Sequence, residues 1–162
     1  MATDIRSLRA EEIMTRMVIT ATSGQPLTEV DAMLIEHRIG GVPVVDDGRL
    51  VGVLSRSDIA RIQVLMHSLD GQVTDQMTWP DQADGFQHAD GGEFRGFQQL
   101  IGDLKVKDAM HDQPVTCRRH TPVNEVAEAM VRLHIHRIIV VEDERPVGII
   151  SSLDLVKLLS GR

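Results

Sequence analysis

Two segments of the chain set a hydroxyl three residues ahead of a carboxylate: Gly52-Val53-Leu54-Ser55-Arg56-Ser57-Asp58 and Gly148-Ile149-Ile150-Ser151-Ser152-Leu153-Asp154. Each opens apolar and closes at a spacing that suits the first turn of a helix, which places Ser-x-x-Asp at a strand-to-helix junction. The plainer chemistry is a capping box, with the Ser hydroxyl accepting from one backbone N–H and the acid reaching back to another. The same junction also offers free N–H groups and the positive end of a helix dipole to a phosphate. Beside them stand a hydroxyl and a carboxylate able to accept both hydroxyls of a ribose. The two uses are compatible, and spacing alone leaves both open because capping boxes are common.

The elements that must carry these junctions come as a repeat. A shift of 96 positions lays residues 14–60 on 110–156 without a gap. Met14, Thr20, Pro26, Glu29, Val30 and Ile39 fall on Met110, Thr116, Pro122, Glu125, Val126 and Ile135. Val44, Val45, Asp47, Arg49, Val51, Gly52, Ser55 and Asp58 fall on Val140, Val141, Asp143, Arg145, Val147, Gly148, Ser151 and Asp154, making 14 identities in 47 pairs. Ordinary composition gives roughly three. Duplication is the economical explanation.

Each copy reads as β-α-β-β-α. A short strand, Val18-Ile19-Thr20 or Val115-Thr116-Cys117, leads to a Pro expected at the first helical position, where its missing N–H costs nothing. Thr121 is the expected N-cap of the second copy's helix. Leu27, Val30, Met33 and Leu34, and likewise Val123, Val126, Met130 and Leu133, mark one buried helical face each. The runs Val42 to Val45 and Ile138 to Val141 are β-branched and too short for helices. With Leu50 to Leu54 and Val147 to Ile150 they predict two hairpins, closed by polar turns at 46–49 and 142–146. A second helix is expected to begin near Asp58 and near Asp154.

Between the copies the composition changes. Trp79, Phe86, Phe94 and Phe97 are all the aromatic residues of the chain, set among Gly, Asp and Gln. This insert reads as a long connection with a short helix near Phe97 to Ile101, placed either over a site or as a plain linker. The expected division is 1–70, 71–104 and 105–162. The net charge of −7 argues against nucleic acid or anionic lipid as partners, since both need a cationic field. Met1 to Ala10 lacks the apolar core of a signal peptide, and no stretch approaches the roughly 20 apolar residues of a membrane span. Cys117 is the single cysteine, which excludes an internal disulfide and makes a cytoplasmic setting the expectation.

The order of strand, helix, a hairpin containing Gly41-Val42-Pro43-Val44-Val45-Asp46, and then Gly-x-x-Ser-x-x-Asp, met twice over residues 8–69 and 105–161, resembles the CBS-domain pattern. The resemblance implies an α/β (α+β) module of two CBS repeats packed as a pseudo-twofold pair, often paired again as a homodimer. It also implies adenine-nucleotide ligands. Carried over position by position, Asp58 and Asp154 would hold ribose hydroxyls, and Ser55 and Ser151 would approach ribose or phosphate. Backbone at Gly41, Val42 and Pro43, or at Ile138 and Ile139, would meet the adenine edge, and Thr20 and Thr116 would line the base pocket. With no aromatic residue in either repeat, the base would lie between aliphatic side chains such as Ile19, Val42 and Ile138.

The copies differ where equivalent sites would agree. Gly40-Gly41-Val42-Pro43 becomes His136-Arg137-Ile138-Ile139, and the resemblance makes His136 and Arg137 phosphate neighbours. Arg56, Arg118, Arg119, His120 and Lys157 are further cations, each read first as solvated charge. His134 and His136, with His111 and His120, lack a carboxylate at metal-ligand spacing. Cys117 and most of the Met residues read as packing.

The leading expectation is a regulatory sensor of AMP, ADP or ATP, with S-adenosylmethionine or NAD-like molecules sharing the adenosine handle. It would act on an unknown protein effector or on its own dimer and require no cofactor. The alternative is a ligand-independent dimerisation scaffold that presents the insert to a partner. An enzyme is the weakest reading, since no nucleophile stands beside a base and no phosphate loop is present.

Overall fold

The computed structural model describes residues 7–69 and 102–160. The insert's aromatic residues and its expected helix near Phe97 to Ile101 lie outside them. The elements are a one-turn helix α1 (Ala10–Ile13), α2 (Leu27–Glu36), strands β1 (Gly41–Asp46) and β2 (Arg49–Ser55), and α3 (Arg56–Leu69). A 3-10 turn (Val106–Asp108) follows, then β3 (Thr116–Arg118), α4 (Val123–Leu133), β4 (Arg137–Glu142), β5 (Arg145–Ser151) and α5 (Ser152–Ser160). The fold is α/β as expected, with a two-stranded sheet β1-β2 and a three-stranded sheet β3-β4-β5. Among the described residues no helix is long and apolar enough to cross a membrane.

Backbone proximity divides the chain into two units. One holds the described residues up to Ser23, Val42–Val53 and those from His111 on, and the other holds Gly24–Gly41 with the described residues from Leu54 to Met110. This division cuts across the repeats because the leading segment of each copy bonds to the other copy. Ala10 N–H donates to the Thr121 carbonyl at 2.9 Å, and Leu8 carbonyl accepts from Val123 N–H at 2.9 Å. At the positions 96 residues away, Val106 N–H donates to Gln25 carbonyl at 3.0 Å and Leu104 carbonyl accepts from Leu27 N–H at 2.9 Å. Thr15 and Ile149 exchange both backbone bonds, as do His111 and Val53.

The exchange explains the helix starts. Pro26 and Pro122 are N-caps, one position earlier than expected, with α2 and α4 beginning at Leu27 and Val123. A proline N-cap has no side-chain acceptor for the first orphan N–H groups, so a carbonyl from the other copy's leading segment meets the first of them. Thr121 is not the cap: its hydroxyl accepts from Arg118 N–H at 3.0 Å and holds the turn after β3.

In the second copy β3 runs parallel to β4, Thr116 opposite Ile139, with Ile139 N–H donating to Val115 carbonyl. In the first copy the strand expected at Val18-Ile19-Thr20 does not form. Only a bridge from Ala21 to Val44 remains, with bonds Ala21 N–H to Pro43 carbonyl and Val45 N–H to Ala21 carbonyl. The next bond along would need a donor at position 43, and proline has none.

Each hairpin closes on two residues with positive φ: Asp47 (51°) and Gly48 (78°), and Asp143 (48°) and Glu144 (64°). That is the turn whose twist matches paired strands. The core of the first unit gathers Ala10, Met14, Val126, Met130, Ile138, Val140 and Ile150, with half-buried Cys117 packed against it. Burial pushes the Cys117 thiol up to about 11, consistent with a packing residue. On α2, Leu27, Val30 and Leu34 are buried as expected, whereas on α4 Leu133 is exposed.

Met14 sits over Gly148, where a Cβ would fall 2.3 Å from its sulfur. Met14→Ala should therefore lower stability by about 2–5 kcal/mol, read in urea unfolding. The left-handed Glu144 gives a test of opposite sign. Glu144→Gly removes a backbone penalty of about 1–2 kcal/mol and an ion pair to Arg49 at 3.0 Å whose side chains are both 70% exposed. Such a pair contributes about 0–1 kcal/mol, so the variant should melt a few degrees higher.

Candidate functional site

Both Ser-x-x-Asp segments form the same network at the start of α3 and α5. Ser55 N–H and Oγ–H donate to Asp58 Oδ2 at 2.9 and 2.5 Å, and Asp58 N–H donates to Ser55 Oγ at 3.3 Å. In the second copy the bonds are 2.8, 2.6 and 3.3 Å. The helices begin at Arg56 and Ser152, two residues ahead of the acids. A carbonyl from the preceding turn meets the first helical N–H of each: Gly40 to Arg56 at 3.1 Å and His136 to Ser152 at 3.0 Å.

In both copies Oδ2 is committed within the network while Oδ1 faces a cation one turn on. Arg61 Nη1 stands 3.4 Å from Asp58 Oδ1, and Lys157 Nζ stands 3.1 Å from Asp154 Oδ1. Sequence reading passed over Arg61, although its i,i+3 spacing from Asp58 was the signal. Asp58 is buried, at 5% exposure, as its partners require. Burial works against the Asp154 carboxylate, but donation from Ser151 and from Lys157 outweighs it and holds its pKa below the ordinary value.

The second copy's candidates all belong to the first unit. Strand alternation puts Thr116, Arg137, Ile139 and Ser151 on one face of the sheet, since Thr116 pairs with Ile139 and Arg137 with Ser151. Asp154 follows on α5. Ile138 points the other way into the core beside α4, 1% exposed, which leaves its backbone alone for a ligand on the Thr116 face. Thr116, His136 and Arg137 are exposed.

The first copy's candidates are divided between the units. Thr20 is exposed, with Val42 and Pro43 buried in the first unit. Gly41, Ser55, Arg56 and Asp58 lie in the second. Gly41 is pressed on β2: a Cβ there would stand 2.8 Å from Leu54 carbonyl oxygen. Of the other cations, Arg119 pairs with Glu142 at 3.1 Å and His120 Nδ1 meets Glu11 at 3.0 Å. Among the described residues no cluster of three His, Cys, Asp or Glu side chains gathers for a metal.

The CBS domain pattern matches residues 10–64 and 106–161, one match on each copy. The chain belongs to the CBS domain family. It is 28% identical over 91% of its length to the uncharacterized protein MJ1225 of Methanocaldococcus jannaschii, of which it spans 45%. It is 27% identical to MJ1426 of the same organism, covering 92% of this chain and 89% of that protein. The solved CBS domain of a CBS domain-containing membrane protein from Sphaerobacter thermophilus superposes with a TM-score of 0.70 at 30% identity, over 97% of this chain and 91% of that one. The CBS domain pair of MJ0100, in complex with 5′-methylthioadenosine and S-adenosyl-L-methionine, gives 0.66 at 25% identity over 95% and 97%.

Arg56, the candidate cation of the first CBS repeat, already has an acid facing it. Burial raises the pKa of half-buried Asp31 on α2, and the Arg56 charge partly offsets that rise. A carboxyl whose folded pKa exceeds its unfolded one gives most stability below the unfolded value and loses it as pH rises through the folded one. Asp31→Asn should therefore raise the melting temperature at pH 7 and give no gain below about pH 4, where the ordinary carboxylate protonates. Paired melting curves across that range check the sign.

Proposed function

We propose that this CBS pair is a regulatory rather than catalytic module that binds an adenosine-containing ligand at its Ser-x-x-Asp junctions. Binding would be relayed to a protein effector or to the module's own homodimer. The observation that carries this reading is the duplicated carboxylate network. Asp58 and Asp154 are held rigid through Oδ2, and each turns Oδ1 toward a cation beside a helix N-terminus, a carboxylate setting of the kind that accepts ribose hydroxyls. The MJ0100 pair, 25% identical to this chain, is held in complex with two adenosine compounds, which supports the same ligand class.

On this reading Ser151 borders the ribose of the second copy, with Thr116 beside the base and backbone at Ile138 and Ile139 at its edge, and Ser55 borders the ribose of the first. AMP, ADP or ATP are the first ligands to try. The homodimer is supported by Leu153 and Val156, one turn apart on α5 and 59% and 56% exposed. Apolar side chains at that spacing suit a helix-to-helix contact.

The test is a thermal shift with AMP, ATP and S-adenosylmethionine. A ligand held at 100-fold its Kd adds about 2.7 kcal/mol, which raises the melting temperature by roughly 5–10 °C. Asp58→Ala combined with Asp154→Ala should abolish the shift relative to that variant's own baseline. A wild type that no adenosine compound stabilises would overturn the reading and leave the scaffold role.

A further inference from the structure

We propose that the second CBS repeat carries a binding site for a zwitterionic amino acid with an apolar side chain, in a cleft between β3 and α4. The site lies on the sheet face away from the Ser-x-x-Asp junction and stands independently of the adenosine reading.

The cleft is open and measures about 640 Å³, inside the range of roughly 300–1,000 Å³ that small ligands occupy. All of it falls within the first unit. Its floor is apolar, made by Val126 and Ala129 of α4 with Cys117 and Ile138 of the sheet. Cys117 pairs with Val140, two residues on from Ile138, so strand alternation sets both side chains on the core face. Ser151 pairs with Arg137 and lies on the other face. Thr116, on edge strand β3, and Ile138 are the two junction candidates that also border the cleft.

The rim carries both signs of charge in equal number. Arg118 ends β3, and Glu125, Glu128 and Arg132 stand along one face of α4 at three- and four-residue spacing. All four are exposed. An acid four residues ahead of a cation ordinarily pairs with it, yet the ion pairs among the described residues include none of these four. Two carboxylates and two guanidinium groups are thus left open beside an apolar floor, where a charge contact is worth more than in bulk water.

That balance selects the ligand. A simple anion or cation meets as much repulsion as attraction, whereas a ligand with both charges a few ångströms apart meets two partners. Side chains four apart on a helix start about 6 Å from each other, so Glu128 and Arg132 can bracket an ammonium and a carboxylate borne on one carbon. The guanidinium fork suits the carboxylate. An apolar side chain then covers Val126 and Ala129. Arg118 and Glu125, toward the start of α4, cancel each other's charge at that end, which favours an uncharged side chain there.

Cys117 is the single cysteine of the chain, so its alkylation reports on this cleft alone. Saturating leucine, methionine or phenylalanine should slow the reaction of the full chain with iodoacetamide, and calorimetric titration should detect the same binding. Isocaproate and isoamylamine keep leucine's apolar body with one charge each. Both should bind roughly tenfold or more weakly than leucine, the scale of a lost hydrogen bond to a charged group. Glu128→Gln and Arg132→Gln should weaken leucine by a similar factor, and their melting curves separate loss of contact from loss of fold. Leucine should bind equally well to the Asp154→Ala protein. Absence of protection by all three amino acids, or equal binding of isocaproate or isoamylamine, would overturn the inference. Loss of leucine binding in folded Asp154→Ala protein would place the amino acid at the junction and overturn it as well.

Discussion

The constraint on which the rest depends is the exchange of leading segments between the copies. A helix start leaves N–H groups without intrahelical partners, and a proline N-cap cannot supply one from its side chain. Carbonyls of Leu8 and Leu104 meet the Val123 and Leu27 N–H groups, each arriving from the segment ahead of the opposite copy. The apolar side of the same exchange puts Ala10 and Met14 into the cluster of Val126, Met130, Ile138 and Ile150. Neither copy completes its own helix start or, in the second copy, its own core. That fits the small size of each, since a unit below about 70 residues rarely buries enough surface alone.

From that base the strands reach the junctions. The hairpins end at Ser55 and Ser151, and the helices begin one residue later. The Ser-x-x-Asp network then serves structure and site with the same atoms. Oδ2 caps the helix, while Oδ1 holds a cation one turn along. A capping function by itself would not need the acid to be as deeply set as Asp58, at 5% exposure. Burial of a carboxylate is tolerated because donors surround it, and the same donors keep it oriented.

Two of the differences between the copies fall at backbone-sensitive positions. Proline at 43 deletes the donor that Ile139 uses toward Val115, so the first copy keeps a bridge where the second has a strand. Glycine at 41 answers a close approach of β2, and its counterpart Arg137 is an exposed, charged strand residue. Two differences two positions apart thus change hydrogen bonding and charge together. The network from the last residue of β2 and β5 to the acid three residues on stays the same to within about a tenth of an ångström.

The sequence alone determined the duplication, the two hairpins, the amphipathic helices and the capping boxes, because each is written in local periodicity or in a fixed short spacing. The 96-residue offset holds to the level of φ: Arg38 and His134 both take left-handed backbone, as do Asp47 and Asp143. Local pattern did not show where each leading segment bonds, which way Ile138 faces, or which cations are already engaged. Arg119, His120 and Lys157 read alike as solvated charge, yet each meets a particular acid, while Arg137 meets none of the described ones. Thr121 ahead of Pro122 had the residue type of an N-cap, but its hydroxyl was drawn to Arg118. Lys157 and Thr121 find their partners three residues away, but Glu11 for His120 and Leu8 for Val123 are distant in the chain, and only tertiary structure brings such partners within hydrogen-bond distance.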